Sequence, residues 1–322
     1  MRGPKEIAMR PVSLPPTAIH DLTLGLGSPS LSIEARRAVA RAITAVGAQE
    51  ISVGRPADGP AEAEAATAIA AAIGRDRAIA CCRLAEADVD AARATGLSAV
   101  HLAAPLSESA IRAARESDRI AVLSDIRRVV RYARGLGMAV TLGGEDAGRA
   151  EIDYVCAAMI VAWENGARRF RVSDSSAALD PFSTHAIFRH LCAETDMELE
   201  FHGSDARGMA AANTVAAVRG GATHACASVL GLGGPGGTAP LDEVMETLLP
   251  LDGRRQTGRK AQMAALADRV LSLRPGGRRP KAAWPAAELS ADWVMRTPDL
   301  DVLSEAGRYV WVRPAPQFAA LG

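Results

Sequence analysis

Lysine is nearly missing from this chain of 322 residues. It occurs only at Lys5, Lys260 and Lys281, so arginine supplies almost all of the 37 basic residues. The stretch 6–259 holds no lysine, which excludes a Schiff-base lysine there and a phosphate loop ending in Gly-Lys-Ser/Thr. Aromatic residues make up only 4%. The five cysteines, Cys81, Cys82, Cys156, Cys192 and Cys226, are odd in number, scattered and without a C-x-x-C pair. Buried thiols in a reducing compartment are the expectation. No apolar run reaches the roughly 18–20 residues of a membrane span. Met1 to Pro15 lacks the apolar core of a signal peptide. Neither sign of charge is in excess, with 37 acidic residues against 37 basic ones. That balance argues against a broad surface for nucleic acid or for an anionic membrane. A cytoplasmic, soluble globular protein is expected.

What is present is an alternation. Apolar β-type runs at Ala18–Leu24, Glu50–Val53, Ala78–Cys82, Ala99–Ala103, Ala139–Leu142, Arg169–Val172, Glu198–His202 and His224–Val229 are separated by Ala-rich stretches with helical spacing. Those stretches are Ile33–Val46, Ala61–Ile73, Glu86–Arg93, Ile111–Leu136, Tyr154–Asn165, Thr184–Thr195, Met209–Arg219 and Leu241–Leu248. Continuous apolar strands that alternate with helices predict a parallel sheet. Eight strand–helix units in 16–250 have the size of a closed (β/α)8 TIM barrel. An open doubly wound sheet is disfavoured, because Gly25-Leu26-Gly27-Ser28-Pro29-Ser30 lacks the third glycine of a dinucleotide turn and carries a proline where a helix should start. Residues 1–250 read as the barrel. Residues 251–322 read as a C-terminal linker and appendage: a helix at Gln262–Leu273, a basic turn-rich stretch Arg274–Lys281, and Trp284, Trp293 and Trp311 in a tail that packs on the barrel or a second subunit.

In such a barrel the chemistry sits at the C-terminal ends of the strands. Several of those ends carry a recognisable pattern. Asp174 is followed by Leu179-Asp180-Pro181. Then come Glu200-Phe201-His202, Asp205, Gly208, Ala212-Asn213-Thr214, Ala216-Ala217-Val218, Gly221-Ala222-Thr223-His224 and Gly231-Leu232-Gly233. Upstream, Ile51-Ser52-Val53-Gly54 with Pro56, Val100-His101, and Gly144-Glu145-Asp146 with Arg149-Ala150 fall in register. Over about 17–250 the chain resembles the homocitrate synthases of nitrogen-fixing bacteria, within the isopropylmalate-synthase-like condensing enzymes. The resemblance implies a TIM barrel, condensation of acetyl-CoA with 2-oxoglutarate, and a divalent metal.

The same resemblance exposes replacements. That family opens strand one with Asp-Thr-Thr-Leu-Arg-Asp-Gly-Glu-Gln, where the Arg steadies the enolate and the second Asp binds metal. Here Gly25 stands for the Arg, Leu26 for the metal Asp, and Ser28-Pro29 for Glu-Gln. Ser52 stands in the family's Ile-Glu-Val-Gly. Of the His-x-His on strand seven, His202 is kept and Ser204 replaces the second His. Thr238 stands for the loop Asn near the metal, and Gly234 for a Glu. The family's Ala-Asp-Thr, whose Thr holds the 2-oxoacid carboxylate, is Ser173-Asp174-Ser175. In the tail, Ala287–Asp292 keeps only Glu288 of a His-Glu-Ser-Gly-Ile-His.

A divalent ion needs several converging O or N ligands. His202 with a hydroxyl does not supply them, so no bound metal or other cofactor is expected. Loss of the Arg removes a donor of a kind worth about 3–4 kcal/mol to a developing anion. The expectation is a protein whose condensation is weak or absent, acting as a partner or regulatory subunit, as a homodimer or as a heteromer with an intact homologue. Two other readings stay open. One is metal-independent acyltransferase or lyase chemistry on Glu145, Asp174 and His202. The other is a binding module for an acyl-CoA or 2-oxoacid, with His101 and Ser175 touching substrate. Against these, His202 could be an inherited strand-end histidine, His101 a packing residue, and Glu145 and Asp174 acceptors for loop N–H groups. Asp21 fits either the barrel floor or the old metal position. The glycine-rich run Gly231–Gly237 fits a phosphate cradle or a loop that has lost its ligands.

Overall fold

Side-chain caps and glycines mark the helix ends. Ser32 accepts the Ala35 N–H and opens helix α1 (Ile33–Val46), and Gly47 at φ +112° closes it. Asp180 forms a capping box with Ser183 at the start of α7 (Pro181–Glu194). Asp118 accepts the Ala121 N–H and begins a helix inside the single stretch expected at 111–136. That stretch is therefore two helices, α4 (Glu108–Ala114) and α5 (Arg119–Gly135). The remaining helices are α2 (Pro60–Ile73), α3 (Glu86–Ala94), α6 (Ile152–Glu164), α8 (Ala210–Gly220), α9 (Leu241–Leu248) and α10 (Gly253–Ser272).

The structure is a computed structural model that describes residues 14–25, 31–114, 118–234, 236–249 and 253–273, with the short strands β9 (Ser304–Glu305) and β10 (Arg308–Tyr309). Eight parallel strands close in sequence order: β1 (Ala18–Asp21), β2 (Glu50–Ser52), β3 (Ala78–Arg83), β4 (Ala99–Pro105), β5 (Ala139–Glu145), β6 (Arg169–Asp174), β7 (Glu198–Gly203) and β8 (His224–Ala227). β8 returns to β1 with Ala18 opposite His224 and Asp21 opposite Ala227. The fold is a TIM barrel. Helix α10 lies against α1, with Met263, Leu266 and Val270 buried in the same core. Leu26, Ser28, the stretch Arg274–Lys281, Glu288, and Trp284, Trp293 and Trp311 lie outside the described residues.

The strands are not apolar on both faces, as their sequences suggested. Ile19, Ile51, Leu102, Leu142, Phe170, Val172, Leu199 and Phe201 are buried in the apolar core shared with the helices. Phe201 meets Phe188 of α7 edge to face, with ring centroids 5.7 Å apart. The alternate residues carry the polar groups of the barrel interior: His20, Ser52, His101, Arg169, Arg171, Ser173, Glu200, His224 and Cys226. The apolar core therefore surrounds the barrel, and the barrel itself is filled with charge. The five cysteines are free, and they are not uniformly buried: Cys82 and Cys226 are, while Cys192 is exposed.

Candidate functional site

The interior charge is organised around Glu200 on β7. Its Oε1 lies 2.8 Å from His20 Nδ1, 3.2 Å from Arg171 Nη2 and 3.1 Å from the Cys226 thiol, which donates to it. Arg171 Nε is 3.2 Å from Oε2, and Arg171 Nη2 is 2.9 Å from His20 Nδ1. On its other ring nitrogen, His20 Nε2 is 3.0 Å from Ser52 Oγ. One layer closer to the N-terminal ends of the strands, Arg169 binds both oxygens of Glu50 and also Glu198. All these strand positions share one face by the two-residue pleat, with Arg171 opposite Glu200 and His20 opposite Glu50. Burial alone would neutralise Glu200. The Arg171 guanidinium, with His20 and Arg169, outweighs it and holds the carboxyl well below the usual range. Burial pushes the Cys226 thiol well up, so it stays a thiol.

Toward the C-terminal rim the groups are sparser. His101 is buried and its Nε2 has no hydrogen-bond partner among the described residues. Gly143 leaves the room for that ring, since a Cβ there would clash with Nε2. Burial and the Arg171 charge hold His101 well below its ordinary pKa, and the same two causes bring His202 down to about 3. Both imidazoles are therefore neutral at physiological pH.

Glu145, at the end of β5, accepts hydrogen bonds from Ser173 and Ser175 at 3.3 and 3.2 Å. The structure thus joins Glu145 with Ser175, not with Asp174. Asp174 is fully buried and accepts the N–H groups of Ala178 and Leu179 at 2.8 and 3.0 Å. Those bonds hold the β6 loop through Ala177, a non-glycine residue at φ +51°. Burial raises the Asp174 pKa. Asp21 alternates with His20 and so points away from the barrel axis. It accepts the N–H and hydroxyl of Thr23, while Thr23 Oγ1 accepts the Val229 N–H and ties β1 to the end of β8. Burial raises its carboxyl to about 7.

Among the described residues, the strand-end positions His202, Ser204 and Thr238 do not together fit a divalent metal. At Gly25, the position of the family's arginine, a Cβ would lie 2.5 Å from Ser52 Cβ, so the Ser52 side chain occupies the space from which a side chain would project. Ser204 pairs with Thr238 through a β-bridge, and the Thr238 hydroxyl donates to the Gly203 carbonyl at 3.0 Å. His202 remains as a lone imidazole. The glycine-rich loop is folded on itself: the amides of Gly231, Leu232, Gly237 and Thr238 donate to Ser228, Val229, Gly234 and Gly231 carbonyls. Those four amides are not free to cradle a phosphate. A separate group, His20, Glu200 and Cys226, brings donor atoms within 4.8 Å of one another and could by composition hold a metal ion. The cations beside it are Arg171, 3.2 Å from Glu200 Oε2, and Arg169, 3.8 Å from it.

The sequence model of the HMGL-like family matches residues 26–268. The chain belongs to the HMGL-like family. Homocitrate synthase 1 of Nostoc sp. is 32% identical over 239 residues, 73% of this chain and 63% of that protein. Homocitrate synthase subunit alpha of Clostridium pasteurianum is 26% identical over 226 residues, 70% of this chain and 84% of that protein. An HMG-CoA lyase structure from Bacillus subtilis superposes with a TM-score of 0.69 at 17% identity, covering 81% of this chain and 95% of that one. The chain thus spans less than two thirds of the Nostoc relative, and the lyase likeness concerns the fold. Within this HMGL-like barrel, His20, Arg171 and Cys226 escaped the reading of strand ends because they lie below the rim. For Arg171, and for its partner Glu200, the signal was present as strict polar–apolar alternation in Arg169-Phe170-Arg171-Val172-Ser173 and Glu198-Leu199-Glu200-Phe201-His202.

Proposed function

We propose that this HMGL-like protein has left metal-assisted condensation and serves as a partner or regulatory subunit of an acyl-CoA condensing enzyme. The observation that carries the reading is the closure of Gly25 onto Ser52, which leaves no room for the family's arginine side chain with the backbone as it stands. The mutual pairing of Ser204 and Thr238 supports it, because it uses the strand-end positions where two further ligands would stand. The Clostridium relative is named as a subunit, which supports assembly with another chain.

The test has two arms. Purified protein is analysed for bound Mg, Mn and Zn and assayed for condensation of acetyl-CoA with 2-oxoglutarate. Tagged protein is then recovered from its own host and its partners identified. The reading expects no stoichiometric metal, no condensation, and recovery of an intact condensing homologue. Metal-dependent condensation by the isolated chain, or a strictly homomeric protein, overturns it.

A second reading, acyl transfer without metal, is favoured by one further observation. The replacement at Ser52 puts a hydroxyl within hydrogen-bond reach of a histidine that a carboxylate already holds.

A further inference from the structure

We propose that the outer face of α7 and α8 seats a second copy of this chain about a two-fold axis, with Phe182 of each copy in the groove of the other.

Among the described residues, the exposed large apolar side chains all lie on three consecutive helices. They are Ile120 on α5, Ile152, Ile160 and Trp163 on α6, and Phe182 on α7. Ile152, the half-buried Cys156, Ile160 and Trp163 recur at helical spacing, so they form one stripe along α6. Single exposed apolar residues are ordinary, but such a concentration on one side of a barrel marks an interaction surface. Phe182 is the extreme case, with 88% of its surface exposed. The helix start does not require a ring there. The Phe182 amide donates to Asp180 Oδ1 at 2.8 Å, and any residue but proline supplies that N–H.

A hollow lies beside the ring. Phe182, His185, Ala212, Val215, Ala216 and Arg219 line a groove of about 380 Å³ between α7 and α8. An apolar cavity of about 150 Å³ already holds a benzene ring, so this groove admits a phenyl side chain. Its walls are fixed, because α7 and α8 meet closely at Gly220, where a Cβ would stand 2.6 Å from Phe188 Cβ. Knob and hollow belong to the same face. That is the condition for an isologous contact, in which each copy inserts what the other receives.

Charge selects the same occupant. Arg219 lines the groove and has no ion-pair partner among the described residues. Asp180 is exposed two residues before Phe182, and the Ser183 N–H it accepts holds its carboxyl below the usual range, so it is ionised. A Phe182 ring that enters the partner's groove brings this carboxylate to the arginine that lines it. The two-fold axis makes the pair twice. The area is sufficient as well. Helices α6 to α8 are about 20 Å long and stand about 10 Å apart, which gives a face of roughly 20 by 30 Å. That is on the order of the ~800 Å² that each partner gives to a standard interface. The α6 stripe supplies its apolar flank.

The experiment is sedimentation velocity with light scattering on the full chain, from low to high micromolar concentration. The expected species is a dimer. Phe182→Ala should raise the dimer Kd roughly 30-fold or more, as loss of a central aromatic anchor does. Diluted until both are monomers, the variant and the parent should melt alike, because the ring is exposed in the single chain. Asp180→Asn keeps the capping oxygen and removes the charge. Arg219→Gln removes the opposite charge. Each should weaken the dimer several-fold, and the double variant should lose less than the product of the two, since either change breaks the same pair.

A monomer throughout, a dimer whose Kd ignores Phe182→Ala, or effects of Asp180→Asn and Arg219→Gln that simply multiply overturns the proposal. So does a monomer that takes up an intact homologue through Phe182, which would give the groove to another partner. The partner reading above fails on different results: bound metal, condensation by the isolated chain, or no homologue recovered from the host. A dimer through α7 and α8 leaves the rim of the barrel for that homologue.

Discussion

Gly25 lies so close to Ser52 that a Cβ on the glycine would sit 2.5 Å from the serine Cβ. This contact packs Gly25 onto the end of the second strand. It also predicts a specific coupling. Gly25→Ala should destabilise the protein by about 1–3 kcal/mol through overpacking. Ser52→Gly removes the opposing Cβ, so the double variant should recover most of that loss. A double-mutant cycle from denaturant melts measures the interaction, and additive effects would show that the backbone relaxes without cost.

Asp21 sets a pH dependence of stability. Its carboxyl is raised from 3.8 to about 7 by burial. Between those values the folded protein holds a proton that the unfolded chain releases. Stability from this group is therefore fully present below about pH 4, falls as pH rises, and is lost above about pH 7. Linkage puts the span at about 4 kcal/mol. Asp21→Asn keeps an acceptor for the Thr23 N–H and should raise the melting temperature at pH 8 more than at pH 5. Equal shifts at both values would refute the assignment.

The pair of Arg171 with Glu200 is expected to fail asymmetrically. Arg171→Met leaves a buried carboxylate without its main cation, and Glu200→Leu leaves a buried guanidinium. Each single change should cost about 3–5 kcal/mol, while the double replacement should cost much less. Arg171→Met should also raise the His202 pKa from about 3, since the guanidinium helps hold it down. Nitrogen-detected NMR titration of the imidazole reads this directly, in the double variant if the single one is too unstable.

Metal removal should change nothing in the fold. Dialysis against a chelator, and then addition of millimolar Mg, Mn or Zn, should each leave the melting temperature within about 1 °C. A ligand present at 100 times its Kd adds about 2.7 kcal/mol to stability, which such a melt resolves. A large rise with Zn and not with Mg would point to the Cys226, His20 and Glu200 group rather than to the strand-end positions.

His101 and Gly143 offer a control at the rim. Gly143→Ala must push the imidazole aside, because the new methyl and Nε2 cannot both be accommodated where they stand. Its destabilisation should fall when His101→Ala is combined with it. Circular dichroism melts of the four proteins decide whether the ring is packed against the strand.

The barrel was legible because burial leaves period and spacing in the sequence. Apolar positions on Ile33–Val46 and Leu241–Leu248 repeat at helical spacing, and both helices form at those bounds. The structure brings Gly25 against Ser52 and pairs Ser204 with Thr238, contacts between strand ends that the sequence did not record. Two features were misread for physical reasons. The run 111–136 has one helical pattern but contains Asp118, whose side chain competes for backbone N–H groups and starts a second helix. The strands read as apolar throughout, because Phe170, Val172, Leu199 and Phe201 dominate their windows, although every second residue of β6 and β7 faces the barrel interior.

The sequence by itself determined the order of strands and helices and the family frame, since these depend on residues near in the chain. Only the tertiary structure decided how the polar groups of the barrel interior meet. His20, Ser52, Arg171, Glu200 and Cys226 come from β1, β2, β6, β7 and β8. Barrel closure brings them together by joining the first strand to the last, and no local pattern records that contact. The absence of lysine left the interior cation to arginine. The folded barrel then paired Arg171 with Glu200 and placed the Ser52 hydroxyl at the free nitrogen of His20.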